Sequence, residues 1–157
     1  MAGQTNIGGA FYIAVDSNSD PVAQNSELSA SQYGALTWLQ VPNMGQHGDT
    51  GVEQNMVTYS TWDNRLAIQQ KGEATGASAE VRFLDVDSAG LTAMKAAGAI
   101  EDLNNYAFKL EWPDGRIEYN RGLVGAPTFP KGANEDFAEA VFMLALNQEP
   151  VFDTATP

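Results

Sequence analysis

The sequence contains no cysteine, so disulfide bonds, thiolate metal sites and thiol nucleophiles are excluded. It has a single histidine, His47, which excludes any metal site or catalytic set that needs two. Basic residues are also scarce, with 8 Lys and Arg against 20 Asp and Glu and a formal net charge of -12. Because nucleic-acid binding requires Lys and Arg to displace counterions, we do not expect a binder of DNA, RNA or anionic membranes.

Long apolar runs are missing as well. No stretch approaches the roughly 20 apolar residues that span a bilayer, and residues 1–9 lack the basic and apolar regions of a signal peptide. We therefore expect a protein made in the cytosol without a membrane anchor. Its 157 residues are enough for one domain with a hydrophobic core, and we expect a single domain over 1–157.

The pattern that is present is mostly β. Alternation and aromatic or β-branched residues predict strands over 9–15, 36–41, 56–62, 65–71, 79–84, 106–112, 116–121, 123–129 and 137–146. Asp63-Asn64 and Pro113-Asp114-Gly115 predict hairpin turns. One helix is predicted, with Asp87 as its N-cap and Gly98 at its end. The expected fold is a β-sandwich or barrel of about eight strands with one flanking helix.

The segments between these strands are long and polar. Residues 16–33 and 42–55 are predicted as loops, and loops of this length are often functional. Residues 1–8 are predicted to form an extended arm and residues 147–157 a mobile tail. We expect the Ser/Asn/Gly-rich arms to order only when they contact a partner, because they have little apolar surface to bury.

Candidate catalytic groups are few, and each has a simpler structural interpretation. His47 lies alone in a glycine-containing loop, and Asp85 with Asp87 matches a strand end followed by a helix cap better than a cation site. Glu111 and Glu118 flank a hairpin turn, as a glycosidase pair might, but cross-strand pairing with neighbouring basic residues is the simpler account. We therefore expect no enzyme activity and no cofactor or metal.

Several features follow one another between Leu36 and Pro150. They are a Trp-containing strand (36–41) before a glycine-containing loop, Thr61-Trp62-Asp63 and Lys71-Gly72 in one hairpin, Asp85-Val86-Asp87 before the helix, Trp112-Pro113-Asp114-Gly115 in a second hairpin, and Gly122 to Gly125 after it. In this order they resemble the tail tube (major tail) proteins of long-tailed bacteriophages and gene transfer agents. The resemblance implies a tail-tube fold whose hexameric rings stack into a hollow tube that conducts DNA. It also implies a place in the virion tail, production in the host cytoplasm, and copies of itself, the tape-measure protein and the tail-terminator and distal tail proteins as partners.

The resemblance and the acidity together suggest candidate residues. Polar faces of the two hairpins are the candidates for an acidic lumen that repels DNA, and they comprise Gln69, Glu73, Glu111, Asp114, Glu118 and Asn120. The arms and loops supply candidate contacts between rings or subunits, which are Gln4, Asn6, Pro42, Met44, His47, Asp49, Glu53 and Phe152. For each lumen candidate the alternative is an ordinary solvated sheet face.

Three other interpretations stay open at this point. A different tail or neck component, or the tube subunit of a contractile secretion system, fits the same size and charge. A β-sandwich glycan-active enzyme would need a cleft whose two carboxylates have separated pKa values. A carbohydrate- or peptide-binding module would display exposed aromatic side chains on one sheet.

Overall fold

The computed structural model describes residues 8–63, 65–134 and 136–154. The mostly-β prediction is confirmed. The strands are β1 (Ala10–Val15), β2 (Thr37–Val41), β3 (Met44–His47), β4 (Val52–Tyr59), β5 (Ile68–Gly76), β6 (Ser78–Leu84), β7 (Tyr106–Glu111), β8 (Arg116–Val124), β9 (Glu139–Leu146) and β10 (Val151–Thr154). The helices are α1 (Ala30–Gly34) and α2 (Ala89–Ala97). Predictions for residues 1–7 and 155–157, with Gln4 and Asn6 among them, lie outside the described residues.

One antiparallel sheet forms the body, in the order β2-β1-β7-β8-β9-β6-β3. β10 also belongs to this sheet, because it pairs with β8 beyond the end of β9. β4 and β5 pair only with each other and form a separate two-stranded sheet. The strand predicted over 137–146 is confirmed as β9, while the strand predicted over 123–129 is only the end of β8 followed by one isolated bridge at Thr128.

The main core lies on one face of the sheet and is covered by α2. Alternate residues of the strands supply it, including Phe11, Phe83, Phe108, Phe142 and Leu144, and α2 adds Leu91 and Met94. The helix begins one residue later than predicted: Ser88, not Asp87, is the N-cap, and its hydroxyl oxygen accepts from the Leu91 amide at 3.1 Å. Asp87 lies before the helix, in the segment between β6 and α2.

A second cluster lies on the opposite face of the sheet, under the segment predicted as a free loop over 16–33. That segment contains α1, whose N-terminus carries a reciprocal capping box between Ser29 and Gln32. Tyr33 of α1 stacks on Tyr119 of β8 with ring centroids 4.8 Å apart. Burial of these aromatic rings fixes the end of the segment on the sheet. The polar composition of the segment did not predict it.

The predicted mobile tail is also structured in part. β9 and β10 both run antiparallel to β8 along one edge, separated by residues 147–150. The buried Arg121 side chain fixes the segment between β9 and β10. Its guanidinium donates to the Asn147 carbonyl at 3.2 Å, to Gln148 Oε1 at 3.0 Å and to the Gln24 carbonyl at 3.2 Å. The 16–33 segment and the C-terminal strand are therefore anchored to β8 within a single subunit.

Candidate functional site: an exposed hairpin

The hairpin β4–β5 is exposed on both faces. Every residue of β4 is exposed, and in β5 only two glycines, Gly72 and Gly76, are half-buried. An isolated two-stranded hairpin is marginally stable in water. A long hairpin that buries neither face in its own subunit is therefore a surface that needs a partner.

Apolar side chains are concentrated on this hairpin and its turn. Seven of the fourteen exposed large hydrophobic residues in the described chain lie between residues 52 and 76; they are Val52, Met56, Val57, Tyr59, Trp62, Leu66 and Ile68. Trp62 at the turn is fully exposed. Exposed apolar patches of this kind mark interaction surfaces in folded proteins, and buried Trp and Tyr commonly dominate such interfaces.

The strand register divides the hairpin into two faces. Val57 pairs with Gln70 and Tyr59 with Ile68, so these four side chains share one face, which is mainly apolar near the turn. The other face is more polar. It carries the pairs Met56–Lys71 and Thr58–Gln69.

A bulge separates two of the lumen candidates. Gln54 pairs with Ala74 and Met56 with Lys71, so β5 has one more residue than β4 between these pairs. Gln69 therefore shares a face with Ala74, whereas Glu73 lies on the opposite face. The sequence prediction that Gln69 and Glu73 belong to one polar face is corrected by this bulge.

The hairpin continues the edge of the body sheet. Only Ala77 separates β5 from β6, and β3 precedes β4 through residues 48–51. The Gly48 amide donates to the Glu80 carbonyl at 2.7 Å, and the Ala77 amide donates to Gly51 at 2.9 Å. The predicted loop over 42–55 is therefore mostly strand, because β3 pairs with β6 and β4 begins at Val52.

A cavity of about 520 Å³ lies beneath the root of the hairpin, between residues 44–50 and the strands β7 and β8. Glu118 lines it, only 5% exposed, and accepts a hydrogen bond from the Thr50 hydroxyl at 2.7 Å. The His47 ring packs on Phe11 with centroids 5.7 Å apart, and His47 Nδ1 donates to the Gly48 carbonyl at 2.6 Å. Burial lowers the pKa of His47, against smaller opposing effects of Gly48 and Glu118. These groups position the hairpin root against the body.

The second hairpin, β7–β8, does not present the polar face that its alternation predicted. Leu110 pairs with Glu118, and Phe108 pairs with Asn120. Both polar residues therefore point toward the main core, where they are 5% and 3% exposed. Side chains buried in this way cannot line a lumen, and we remove Glu118 and Asn120 from the candidates.

The remaining acidic candidates of this hairpin have ion-pair partners. Glu111 is half-buried and lies 3.7 Å from Lys109 Nζ, and Asp114 is exposed and bonds Arg116 Nε at 3.0 Å. The register pairs Glu111 with Ile117, so Glu111 and Glu118 lie on opposite faces of the sheet. Both residues border the cavity at the hairpin root, and of the two Glu118 is the buried one.

The described candidates for contacts between subunits differ in exposure. Asp49, Glu53 and Phe152 are exposed, while Pro42, Met44 and His47 are half-buried. Glu53 belongs to β4 and Phe152 to β10. Asp85, one of the two carboxylates weighed as a cation site, lies 3.4 Å from Lys95 Nζ.

Among the described residues, no group of three or more His, Asp and Glu side chains could hold a metal ion. The described helices include none long and apolar enough to cross a membrane. The sequence pattern predicted the hairpin but not the exposure of its apolar side chains. The signal available in the sequence was two runs of polar residues, 53–55 and 69–71. A polar run places polar side chains on both faces of a strand, so neither face of the hairpin is consistently apolar, as a face that packs on a core would be.

No protein-family model and no curated protein matches the sequence. Solved structures do match. One comes from the PVC sheath–tube complex of an extracellular contractile injection system in its extended state, with a TM-score of 0.60 at 8% identity over 92% of this chain and 88% of that one. The chain has the tail-tube fold.

Two further tube structures agree. The SPP1 tail tube matches with a TM-score of 0.57 at 10% identity, over 95% of this chain and 78% of that one. The tail of an empty GTA particle matches with a TM-score of 0.55 at 12% identity, over 90% of this chain and 100% of that one. The tail-tube fold predicted from the order of sequence features is therefore confirmed, at identities too low for the sequence to match on its own.

Proposed function

We propose that this protein is the structural subunit of a phage-type tail tube and that the hairpin β4–β5 is its main self-association surface. The observation that carries the proposal is a long hairpin, on a tail-tube fold, with both faces exposed and seven large apolar side chains unburied. Copies of the chain would cover this apolar surface. The open edges of β4 and β5 offer backbone groups that pair with strands of a neighbour.

The finer form of the proposal is a hexameric ring that stacks into a hollow tube in the virion tail. Ring closure removes the open strand edges that a single subunit leaves. The net charge of -12 favours a wall that repels DNA during its passage. Gln69, Glu111 and Asp114 are the candidates for this lining, and Glu73 lies on the other face of its hairpin. Tape-measure, tail-terminator and distal tail proteins complete the proposed set of partners.

The test is assembly of the purified chain, observed by negative-stain microscopy and sedimentation. We expect wild-type protein to form rings or tubes at high concentration. The double variant Tyr59→Ser/Ile68→Ser removes apolar area from a cross-strand pair that is exposed in the subunit. It should therefore abolish assembly with little change in melting temperature.

Phe137→Ser is the control, because Phe137 is an apolar side chain outside the hairpin and is at least as exposed as Tyr59 and Ile68. It should assemble as wild type does. A wild-type chain that stays monomeric at every concentration and with preformed tubes as seeds would count against the proposal. Equal loss of assembly in both variants would remove the hairpin from its central role.

A tube of a contractile injection system is the second candidate. The match to the extended PVC sheath–tube complex favours it, because that particle contains a sheath around its tube. Both candidates predict tubes of the isolated chain. Co-purification with a sheath protein encoded beside this gene would identify the contractile system.

A further inference from the structure

Basic side chains are scarce in this protein, and half of them are ion-paired within the subunit. Four of the eight Lys and Arg residues lie within ion-pair distance of a carboxylate; they are Arg82, Lys95, Lys109 and Arg116. Arg121 is buried and donates to neutral oxygens, and Lys131 lies 6.0 Å from the ring of Phe129. The remaining two, Arg65 and Lys71, both belong to the exposed hairpin.

Within the described residues, no ion pair and no hydrogen bond joins Arg65 or Lys71 to a carboxylate. Arg121 and Lys131 also lack a carboxylate partner there, but Arg121 is buried and Lys131 lies outside the hairpin. The Arg65 and Lys71 side chains are exposed. The hairpin holds them away from the acidic body of their own subunit.

The hairpin also differs from the body in net charge. Residues 52–76 contain three acidic and two basic residues, a net charge of -1, which leaves -11 for the rest of the chain. When two identical subunits approach, body against body is therefore repulsive. Contacts that involve the hairpin avoid this repulsion between bodies. They also bring Arg65 and Lys71, which have no carboxylate partner within the described residues, to the neighbouring copy.

We propose that, when the hairpin of one subunit docks on a neighbouring copy of this chain, its Lys71 and Arg65 form ion pairs with carboxylates of that copy. This inference rests on the proposed function. Lys71 shares the polar hairpin face with Thr58 and Gln69 and lies opposite Met56, so a carboxylate that approaches this face meets an exposed ammonium group beside one apolar side chain. The pairing orients the docking and neutralises cations that would otherwise attract the phosphates of passing DNA.

The experiment compares two charge reversals of equal size. Lys71→Glu and Lys131→Glu each change the net charge from -12 to -14, and both residues are exposed. The critical concentration for assembly is measured by sedimentation at low and high salt. We expect Lys71→Glu to raise it about tenfold or more at low salt, Lys71→Gln to raise it less, and Lys131→Glu to leave it within about twofold of wild type.

Salt provides the second criterion. The difference between Lys71→Glu and Lys131→Glu should shrink at high salt, because screening weakens a partly exposed ion pair. Melting temperatures of the unassembled variants verify that both fold. Equal critical concentrations for the two reversals, or wild-type assembly of Lys71→Glu, overturn this inference while leaving the tube subunit intact. Failure of the wild-type chain to assemble at all overturns the proposed function and this inference with it.

Discussion

Two tyrosines, Tyr33 and Tyr106, are buried in different hydrogen-bonding environments. The Tyr33 hydroxyl has no hydrogen-bond partner within the described residues, although its ring is completely buried against Tyr119. The Tyr106 hydroxyl donates to the carboxylate of Asp102. Burial is the main reason that the pKa of each phenol rises to about 12, and for Tyr106 the hydrogen bond with Asp102 adds to the rise.

Replacing each tyrosine with phenylalanine should therefore have opposite effects. Tyr33→Phe removes an unpaired buried hydroxyl, so the free energy of unfolding should stay the same or rise. Tyr106→Phe removes a hydrogen bond to a charged acceptor and should lower it by about 1.5–3 kcal/mol. Urea unfolding at pH 7 measures both. A larger loss for Tyr33→Phe than for Tyr106→Phe would show that the Tyr33 hydroxyl has a stabilising partner.

For individual residues, the sequence predicted which side chains share a strand face but not what that face contacts. The alternation in 116–121 separated Ile117 and Tyr119 correctly from Glu118 and Asn120. It did not reveal that the polar pair points toward the main core. The reason is tertiary, because Glu118 meets the Thr50 hydroxyl, which is 68 residues away in sequence. A local sequence pattern does not predict a contact between residues so far apart in the chain.

At the scale of elements, the close approach of α2 to β2 depends on one glycine. A Cβ at Gly90 would lie 2.2 Å from the carbonyl oxygen of Gln40 and 2.7 Å from the Cα of Val41. Both neighbours are backbone atoms of β2 and cannot move aside as a side chain can. The glycine therefore sets the distance between the helix and the sheet.

Gly90→Ala should push α2 away from β2 and lower the free energy of unfolding by about 1–3 kcal/mol, in spite of the better helix propensity of alanine. Gly34→Ala is the matched control in α1, where a Cβ would meet nothing within 4 Å. It should be neutral or stabilise by up to about 1 kcal/mol. Thermal unfolding of the two variants checks the pair, and similar stabilities would mean that the α2 contact relaxes without cost.

The elements differ in how well the sequence predicted them. The strand predicted over 106–112 matches β7, because its side chains alternate between the core and the other face of the sheet. β10 was missed because four residues carry little pattern and its pairing partner, Arg116–Tyr119, lies far away in sequence. The hairpin was predicted as 56–71, and the structure extends it to 52–76 through polar residues that no core requires.

The whole molecule is an acidic body with a nearly neutral hairpin attached to one edge. The order of strands, turns and helix sufficed to identify the fold, since those features follow from local chemistry. The location of the assembly surface did not follow, because exposure is a property of the tertiary structure. Exposed apolar side chains such as Trp62 look in sequence like members of a core, and only their lack of neighbours shows otherwise.

The stability of the whole subunit should depend on pH through a single residue near neutrality. His47 is the only histidine, and burial lowers its pKa from an ordinary value near 6.5. Below that value the unfolded chain takes up a proton that the folded chain does not. The free energy of unfolding should therefore fall as the pH drops from 7 toward the folded pKa, by at most about 1.4 kcal/mol per pH unit. Above pH 7 His47 is neutral in both states, so it no longer makes the free energy of unfolding change with pH.

The variant His47→Gln isolates the effect, because glutamine cannot titrate. Urea unfolding of both proteins at intervals from pH 8 to pH 5.5 should give a sloping curve for wild type and a flatter one for the variant. The range ends at pH 5.5 because side-chain carboxyls ordinarily titrate near pH 4 and would add their own dependence. Parallel curves would mean that His47 takes up its proton as readily in the folded subunit as in the unfolded chain, and that the packing on Phe11 does not exclude the charged ring.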